Sequence, residues 1–398
     1  MTPTCSRWRG FFEMKHRMEP DRLAERMRTA FEQNFAEGLE VGAAFSVWQD
    51  GQELVSECAG FADAGRQIPW THDTLVLVWS ATKGVASATL LHALDRSGMT
   101  PEQCVSAIWP EFASGDKGDL TVADVMSHRA GLSALDDKTL NMLDHAGVIA
   151  AIERQVPRWE PGQYHAYSPR AYGFIADELA RRLTGRELGR YWREEIAGPG
   201  GIDFWIGLPE DEHDRVAQML APRAVCHDES DPFVEALADA ESLTRAAFSS
   251  PGGLVGASMM NSPAVRSASL PSLGGIGSAS ALARFYSLLA DDGGGLFSAR
   301  VLGWMRQRLV SGYDETLRLP TAFSAGFMLD PLNPSGTKAR SVFGPSVTAF
   351  GHPGAGGSLG FADPDRGLGF AYVMNQMEPG VLPKARVRRL VQALYAKE

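Results

Sequence analysis

Four residues carry the strongest chemical signal in this chain, Ser80-Ala81-Thr82-Lys83. A serine hydroxyl is a weak nucleophile until a base takes its proton. Residues three apart on a helix share a face, so a lysine at that spacing can reach the hydroxyl. If the helix opens at Ser80, its N-terminal dipole also favours negative charge developing there. The amine must be at least partly neutral to accept a proton, so burial or a neighbouring charge has to bring it down from about 10.4. The residues around it (Val85, Ala86, Leu90, Leu91) are apolar, and a lysine in such surroundings is costly unless it has a task. The pattern alone is common, and serine is a frequent helix cap, so its partners decide the matter.

Hydrolases built on this motif need a second polar group near the serine and a strand edge opposite it. Trp159-Glu160-Pro161-Gly162 leads into Tyr164-His165-Ala166-Tyr167-Ser168-Pro169, and Phe350-Gly351-His352-Pro353-Gly354-Ala355-Gly356-Gly357 comes much later. Glycines 354, 356 and 357 would let that strand edge approach a substrate closely. A rival nucleophile, Ser358, sits in Gly356-Gly357-Ser358-Leu359-Gly360, which fits the elbow of another hydrolase class. That class needs a histidine downstream, and none follows His352. Ser358 therefore reads as part of the turn behind the strand. His128 reads as a hydrogen-bonded core residue. His213 and His227 stand among carboxylates without metal-ligand spacing and read as solvated loop. Trp205 and Ile206 fit either a pocket wall or ordinary packing.

The elements that must position these residues follow from periodicity. An amphipathic helix is expected at about 19–38, then strands at 41–48 and 53–60 around a Gln49-Asp50-Gly51 turn, and the Ser80 helix at 80–96. Further helices are expected at 121–127, 171–183 and 280–290. The stretch 227–273 has little regular period and reads as a long loop or lid. Strands return at 323–329, 347–350, 358–361 and 367–374, and a closing helix spans 383–396. Strands at both ends imply an α/β fold, with one mainly antiparallel sheet built from 19–100 and 275–398. A mostly helical unit, 101–274, would form the far wall of a cleft.

Taken in order, the blocks SATKGV at 80, TVADVMSHRAGL at 121, PGQYHAYSPRAYGF at 161, FWIGLPEDE at 204, SAGFMLDP at 324, FGHPGAGGSLGFADP at 350 and MNQM at 374 resemble the family VIII carboxylesterases. Those are relatives of class C β-lactamases and penicillin-binding proteins, with a β-lactamase/transpeptidase-like fold, and the likeness runs over about 40–395. In the family the catalytic tyrosine follows the Pro-Gly turn by five residues, which selects Tyr167 and makes Tyr164 a decoy; Gly173 stands where a family glycine is expected. The resemblance implies that Tyr167 and Lys83 move the Ser80 proton, and that the Ser80 and Ala355 backbone N–H groups form an oxyanion hole. It also places His352, Gly354 and Gly356 on the substrate-binding strand. His352-Pro353-Gly354 replaces the Lys-Thr-Gly of β-lactamases, and Tyr167-Ser168-Pro169 replaces Tyr-x-Asn. A histidine there supplies a weaker, pH-dependent charge for a β-lactam carboxylate, so the departures favour a carboxylic ester. A β-lactamase or D-amino-acid peptidase is the alternative on the same fold, and a catalytically silent scaffold is the alternative outside enzymes.

Bulk composition agrees with an enzyme acting on small molecules. With 398 residues, 44% hydrophobic and 22% charged, the chain can bury a large core. Its net charge of −10 repels phosphate backbones. No apolar run reaches bilayer length, and no signal-peptide stretch follows the basic N-terminal residues. Four scattered cysteines with no CxxC pair point away from zinc and from a disulfide framework. A cytoplasmic protein needing no metal or organic cofactor, with no nucleic-acid or membrane partner, is expected.

Overall fold

The computed structural model describes residues 19–223 and 231–396; the basic N-terminal segment, Cys5, Cys226 and the run His227-Asp228-Glu229 lie outside them. The early hairpin forms from β1 (Gly42–Gln49) and β2 (Gln52–Gly60). Asp50 and Gly51 both take positive φ, 49° and 75°, the backbone that tight hairpin turns demand. The small strand β3 (Val76–Leu77) follows, then β4 (Phe204–Ile206) and β5 (Gly275–Gly277). The C-terminal third supplies β6 (Val310–Asp314), β7 (Leu319–Phe323), β8 (Met328–Leu329), β9 (Phe350–Pro353), β10 (Leu359–Asp363) and β11 (Leu368–Met374).

An eight-stranded sheet runs β2-β1-β11-β10-β9-β8-β7-β6, and each neighbouring pair is antiparallel. The first hairpin thus docks on the last strand, so one sheet is built from both ends of the chain. A second sheet, β3-β5-β4, lies at the entrance to the Ser80 helix. Two expectations are corrected here. The segment 323–329 is two strands broken by a turn, because Gly326 sits at φ +84° against Ser87 and Tyr172. The strand expected at 347–350 instead begins at Phe350 and carries His352.

Both faces of the large sheet are covered, as the period-two pattern of β11 shows. Phe370, Tyr372 and Met374 join one core with helices α1 (Pro20–Ala36) and, at the far end of the chain, Ala385–Tyr395. Ala371 and Val373 join the other core with the helix Ala279–Ala290. That core also holds α2 (Thr82–Arg96), which packs on α3 (Ala171–Thr184). Every residue of α2 from Thr82 to Leu94 is buried. The stretch 227–273, expected to be irregular, contains the short helices Pro232–Ala238, Leu243–Ser249, Gly256–Met260 and Pro263–Ser267. None is long enough to display a helical period, although Asp231 and Ser242 cap two of them in the expected way.

The helix Ala279–Ala290 lies on the sheet where side chains are absent. A Cβ on Gly369 would stand 2.2 Å from both the Ala283 carbonyl oxygen and the Ser287 nitrogen. These are backbone atoms, which cannot turn aside. Gly369→Ala is expected to cost about 1–3 kcal/mol through overpacking, read as a lower urea midpoint with an unchanged slope; an unchanged midpoint would show that the helix can lift freely.

Candidate active site

The serine is set by a strand, a strained turn and a helix start. The Val78 N–H donates to the Gly275 carbonyl on β5, and the Lys83 N–H donates to the Ser80 carbonyl at 2.9 Å. Trp79 adopts φ +51°, an outlying conformation for a bulky residue and one of the kind that concentrates at functional sites. The Thr82 hydroxyl accepts from the Gly275 N–H at 2.8 Å and tethers the turn to β5. The helix itself begins at Thr82, so Ser80 lies in the turn ahead of the helix that was expected to open on it.

Lys83 is fully buried. Its Nζ lies 3.0 Å from the Pro169 carbonyl oxygen, 2.9 Å from the Ser272 carbonyl oxygen and 3.5 Å from Ser80 Oγ. No carboxylate pairs with it among the described residues, and burial drives its amine well below the ordinary lysine range. A neutral amine has two N–H groups, which the two carbonyls take. Its lone pair is then left for the Ser80 hydroxyl. Pro169 stands where the family resemblance expects an asparagine, and its main chain holds the lysine.

Tyr167 lies over the same group, its ring centroid 4.9 Å from Lys83 Nζ. It stacks on Phe323 and meets His128 edge-on at 5.0 Å. Its buried hydroxyl makes no hydrogen bond of ordinary geometry among the described residues, although the Ser80 hydroxyl lies close to it. Burial raises the phenol above its ordinary value, and the adjacent Ser80 hydroxyl opposes that rise. The Tyr167 N–H donates to Asp314 Oδ1 at 3.1 Å, and the N–H groups of Thr316 and Leu317 reach the same oxygen at 2.9 Å. Asp314 is fully buried, and that burial raises its carboxyl to about 6. Tyr164 is 48% exposed and packs against Trp159, away from the cleft. His128 is buried, takes φ +63° and accepts from the Ser168 N–H at 3.2 Å. It is a core residue that braces the tyrosine segment.

The opposite wall is the end of β9. A Cβ on Gly354 would stand 2.1 Å from the Val78 carbonyl oxygen, so the glycine lets the strand end close on the Ser80 turn. Ala355 then lines the cleft beside Ser80. Among the described residues, neither the Ser80 nor the Ala355 N–H donates to a protein carbonyl. Gly354 and Gly356, expected on the substrate-binding strand opposite the nucleophile, are buried at the end of β9, Gly356 at φ +84°. Ser358 is buried outside the cleft lining. Trp205 stacks under Arg193 at 3.9 Å and Ile206 is core, so packing accounts for both. His213 lies near the Leu208 carbonyl and the Ser267 hydroxyl.

The cleft holds about 590 Å³, its open mouth included. Phe248, Leu317, Met328, Val381 and Leu382 give it apolar walls around Ser80, Tyr167, His352 and Ala355. Phe248 comes from the helical stretch that had no readable period. Arg170 also reaches the lining, but its guanidinium donates to the Pro251 and Leu254 carbonyls at 2.7 and 2.9 Å. His352 lines the wall but is not the pH-dependent cation the sequence implied. Burial above all lowers its imidazole to about 3. The Pro353 carbonyl, 2.7 Å from Nδ1, assigns the single proton there and leaves Nε2 as an open acceptor.

This neutrality fixes a stability slope. An unfolded histidine titrates near about 6.5, so below that pH the unfolded chain takes a proton that folded His352 refuses until about 3. The stability from this residue is complete above about pH 6.5 and drains as pH falls, by up to about 1.4 kcal/mol per pH unit. His352→Gln is therefore expected to lose less stability than wild type between about pH 7 and pH 5, read from urea midpoints. Equal losses would mean that the imidazole protonates freely in the fold.

Known proteins resemble this chain over most of its length. The family model described as Beta-lactamase matches residues 31–394. The protein named Esterase/beta-lactamase LipL, from Mycobacterium tuberculosis, is 34% identical over 346 residues, spanning 84% of this chain and 77% of that one. A solved penicillin-binding protein homologue from Caulobacter crescentus has a TM-score of 0.83 at 36% identity, covering 94% of this chain and 97% of its own. A solved family VIII carboxylesterase has a TM-score of 0.81 at 35% identity, with the same coverage. With the family model matched over nearly the whole sequence, the chain belongs to the β-lactamase family.

Proposed function

We propose that the chain is a serine carboxylesterase that cleaves short-chain carboxylic esters through an acyl-enzyme on Ser80. The observation that carries this reading is a buried lysine, unpaired with any carboxylate, within reach of a serine that faces an apolar cleft. Ser80 Oγ attacks the ester carbonyl carbon while its proton passes to the neutral Lys83 amine. The oxyanion is held by the Ser80 and Ala355 N–H groups. Burial keeps the Tyr167 phenol protonated, so it donates to the departing alkoxide and recovers a proton from Lys83. Water, deprotonated by the same pair, then attacks the acyl carbonyl, and that proton returns to Ser80 Oγ as the C–O bond to the serine breaks and the acid leaves.

An ester is favoured over a β-lactam because nothing in the cleft holds the lactam carboxylate: His352 is neutral and the Arg170 guanidinium is already engaged. LipL is named both as an esterase and as a β-lactamase, so both activities belong in the test. We place the site between the sheet unit, 19–100 and 275–398, and the helical unit, 101–274. The substrate is a small molecule. Among the described residues no helix is long and apolar enough to cross a membrane, and Cys58 and Cys104 are free thiols, which supports the cytoplasmic assignment.

An active-site phosphonate is expected to add one equivalent by intact mass, and none to Ser80→Ala. Lys83→Ala and Tyr167→Phe are expected to lower kcat for p-nitrophenyl butyrate by about 10³-fold or more. Ala355→Pro removes one N–H and is expected to cost about 10²-fold in kcat. Labelling that survives in Ser80→Ala would end the mechanism, and turnover of a chromogenic cephalosporin at the rate of the ester would end the ester preference.

A further inference from the structure

A second cleft lies beside the catalytic one, on the other side of the ridge Val381-Leu382-Pro383. Leu382 lines both. The second cleft runs between the loop 339–345 and the C-terminal helix Ala385–Tyr395, and encloses about 1260 Å³ with its open mouth. Val342, Pro345, Leu382 and Val391 give it apolar walls, while Arg340 and Arg388 bring charge from opposite sides. No aspartate or glutamate lines it, although the chain carries 48 acidic residues against 38 basic ones.

Neither arginine has a hydrogen-bonded ion pair among the described residues. On the C-terminal helix Arg386 pairs with Glu40 and Arg389 with Glu37, both at 2.8 Å. Arg388 is exposed and has no ion pair or side-chain hydrogen bond among the described residues. Arg340 is half-buried, and its Nε and one Nη are shut off from solvent with no acceptor. Arg306 and Arg308 each leave one nitrogen unmet but donate through another; Arg340 donates through none. Its loop is anchored independently of it. The buried Asp330 carboxylate accepts the Val342 and Phe343 N–H groups at 3.0 and 3.1 Å and is neutralised by Lys338 at 2.9 Å. Asp330 is thus occupied, and it and Asp314 act on the guanidinium only through their field, with no hydrogen-bonded ion pair among the described residues. Leaving a cation half-desolvated without a hydrogen-bonded partner is unfavourable, and an incoming carboxylate relieves it with a charge-assisted hydrogen bond at the Arg340 nitrogen that solvent reaches.

We propose that this second cleft binds an amphiphilic organic carboxylate, its head group on Arg340 and Arg388 and its apolar tail along Val342, Leu382 and Val391. The acid released by the esterase reaction is of that class, and only this link to the product rests on the proposed function; the binding site itself does not.

The test is a titration of the full chain with sodium octanoate after the phosphonate has filled the catalytic cleft, repeated on untreated protein. Octan-1-ol tests the tail alone and sodium sulfate the charge alone. Expected is one octanoate site in both preparations, weakened about tenfold or more in Arg340→Gln and in Arg388→Gln, with octanol and sulfate each at least about tenfold weaker than octanoate. Arg340→Gln is expected to turn over p-nitrophenyl acetate at the wild-type rate, which separates loss of this site from loss of the fold. Octanoate binding that is untouched by both substitutions, or that vanishes when the phosphonate is in place, overturns the proposal. Sulfate binding as tightly as octanoate overturns the ligand class. If the phosphonate fails to label Ser80, the esterase reading falls, while the untreated protein and the two arginine variants still decide the second cleft.

Discussion

The burial of the Lys83 amine is the constraint on which the rest of the site depends. Water would keep that amine protonated, and a carboxylate beside it would do the same. The fold offers neither. It surrounds the amine with α2, the Tyr167 ring and two peptide carbonyls, from Pro169 and Ser272. Carbonyl dipoles can hold the two N–H groups of a neutral amine without the full charge that would fix an ammonium. The arrangement therefore orients the lysine and leaves it basic at once. Each supporting detail serves that end. Gly173 lets its helix come within contact of Ser272, where a Cβ would stand 2.4 Å from the Ser272 nitrogen, and the Gly173 N–H donates to the Ser272 hydroxyl at 2.6 Å.

The same logic assigns a role to Asp314. A buried carboxylate near the site would normally be expected to pair with a cation. Here its Oδ1 gathers three backbone N–H groups, including that of Tyr167, and its Oδ2 accepts from the Thr321 hydroxyl. Thr321 in turn meets His165 at 2.8 Å. This hub ties the tyrosine segment to the β6–β7 hairpin and sets Leu317 in the cleft wall. A polar network of this kind, with each acceptor occupied, defines one position for the phenol.

What the sequence made legible follows from how local each signal is. Ser80 and Lys83 are three residues apart, and the turn leading into α2, closed by the Lys83 N–H on the Ser80 carbonyl, keeps them as close as a helix would. Tyr167 could be told from Tyr164 by its distance from the Pro-Gly turn, and the two side chains do part company, one into the cleft and one toward solvent. The first hairpin and the closing helix were readable because an Asp-Gly turn and a period of three to four residues are written in the residues themselves. The carbonyls of Pro169 and Ser272 were not readable, since a main-chain oxygen has no residue signature. Asp314 looked like any polar residue on a strand, and its three amide partners come together only through tertiary contact. His352 misled for a related reason. Its type suggested a switchable charge, while its burial and its distance from Lys83 are properties of the folded chain.

The contact between Gly354 and the Val78 carbonyl has a consequence for when the protein becomes reactive. In the proposed mechanism the nucleophile comes from the first quarter of the chain, and the second oxyanion amide comes from the last. They meet only when β9 is in the sheet, and β1 in turn gains its inner neighbour only when β11 is in place. Non-local pairings of this kind form late. A chain still emerging from synthesis, or one that has lost its C-terminal strands, carries Ser80 and Lys83 without the amide that stabilises the attack. On the proposed mechanism, attack by Ser80 is thereby coupled to completion of the sheet.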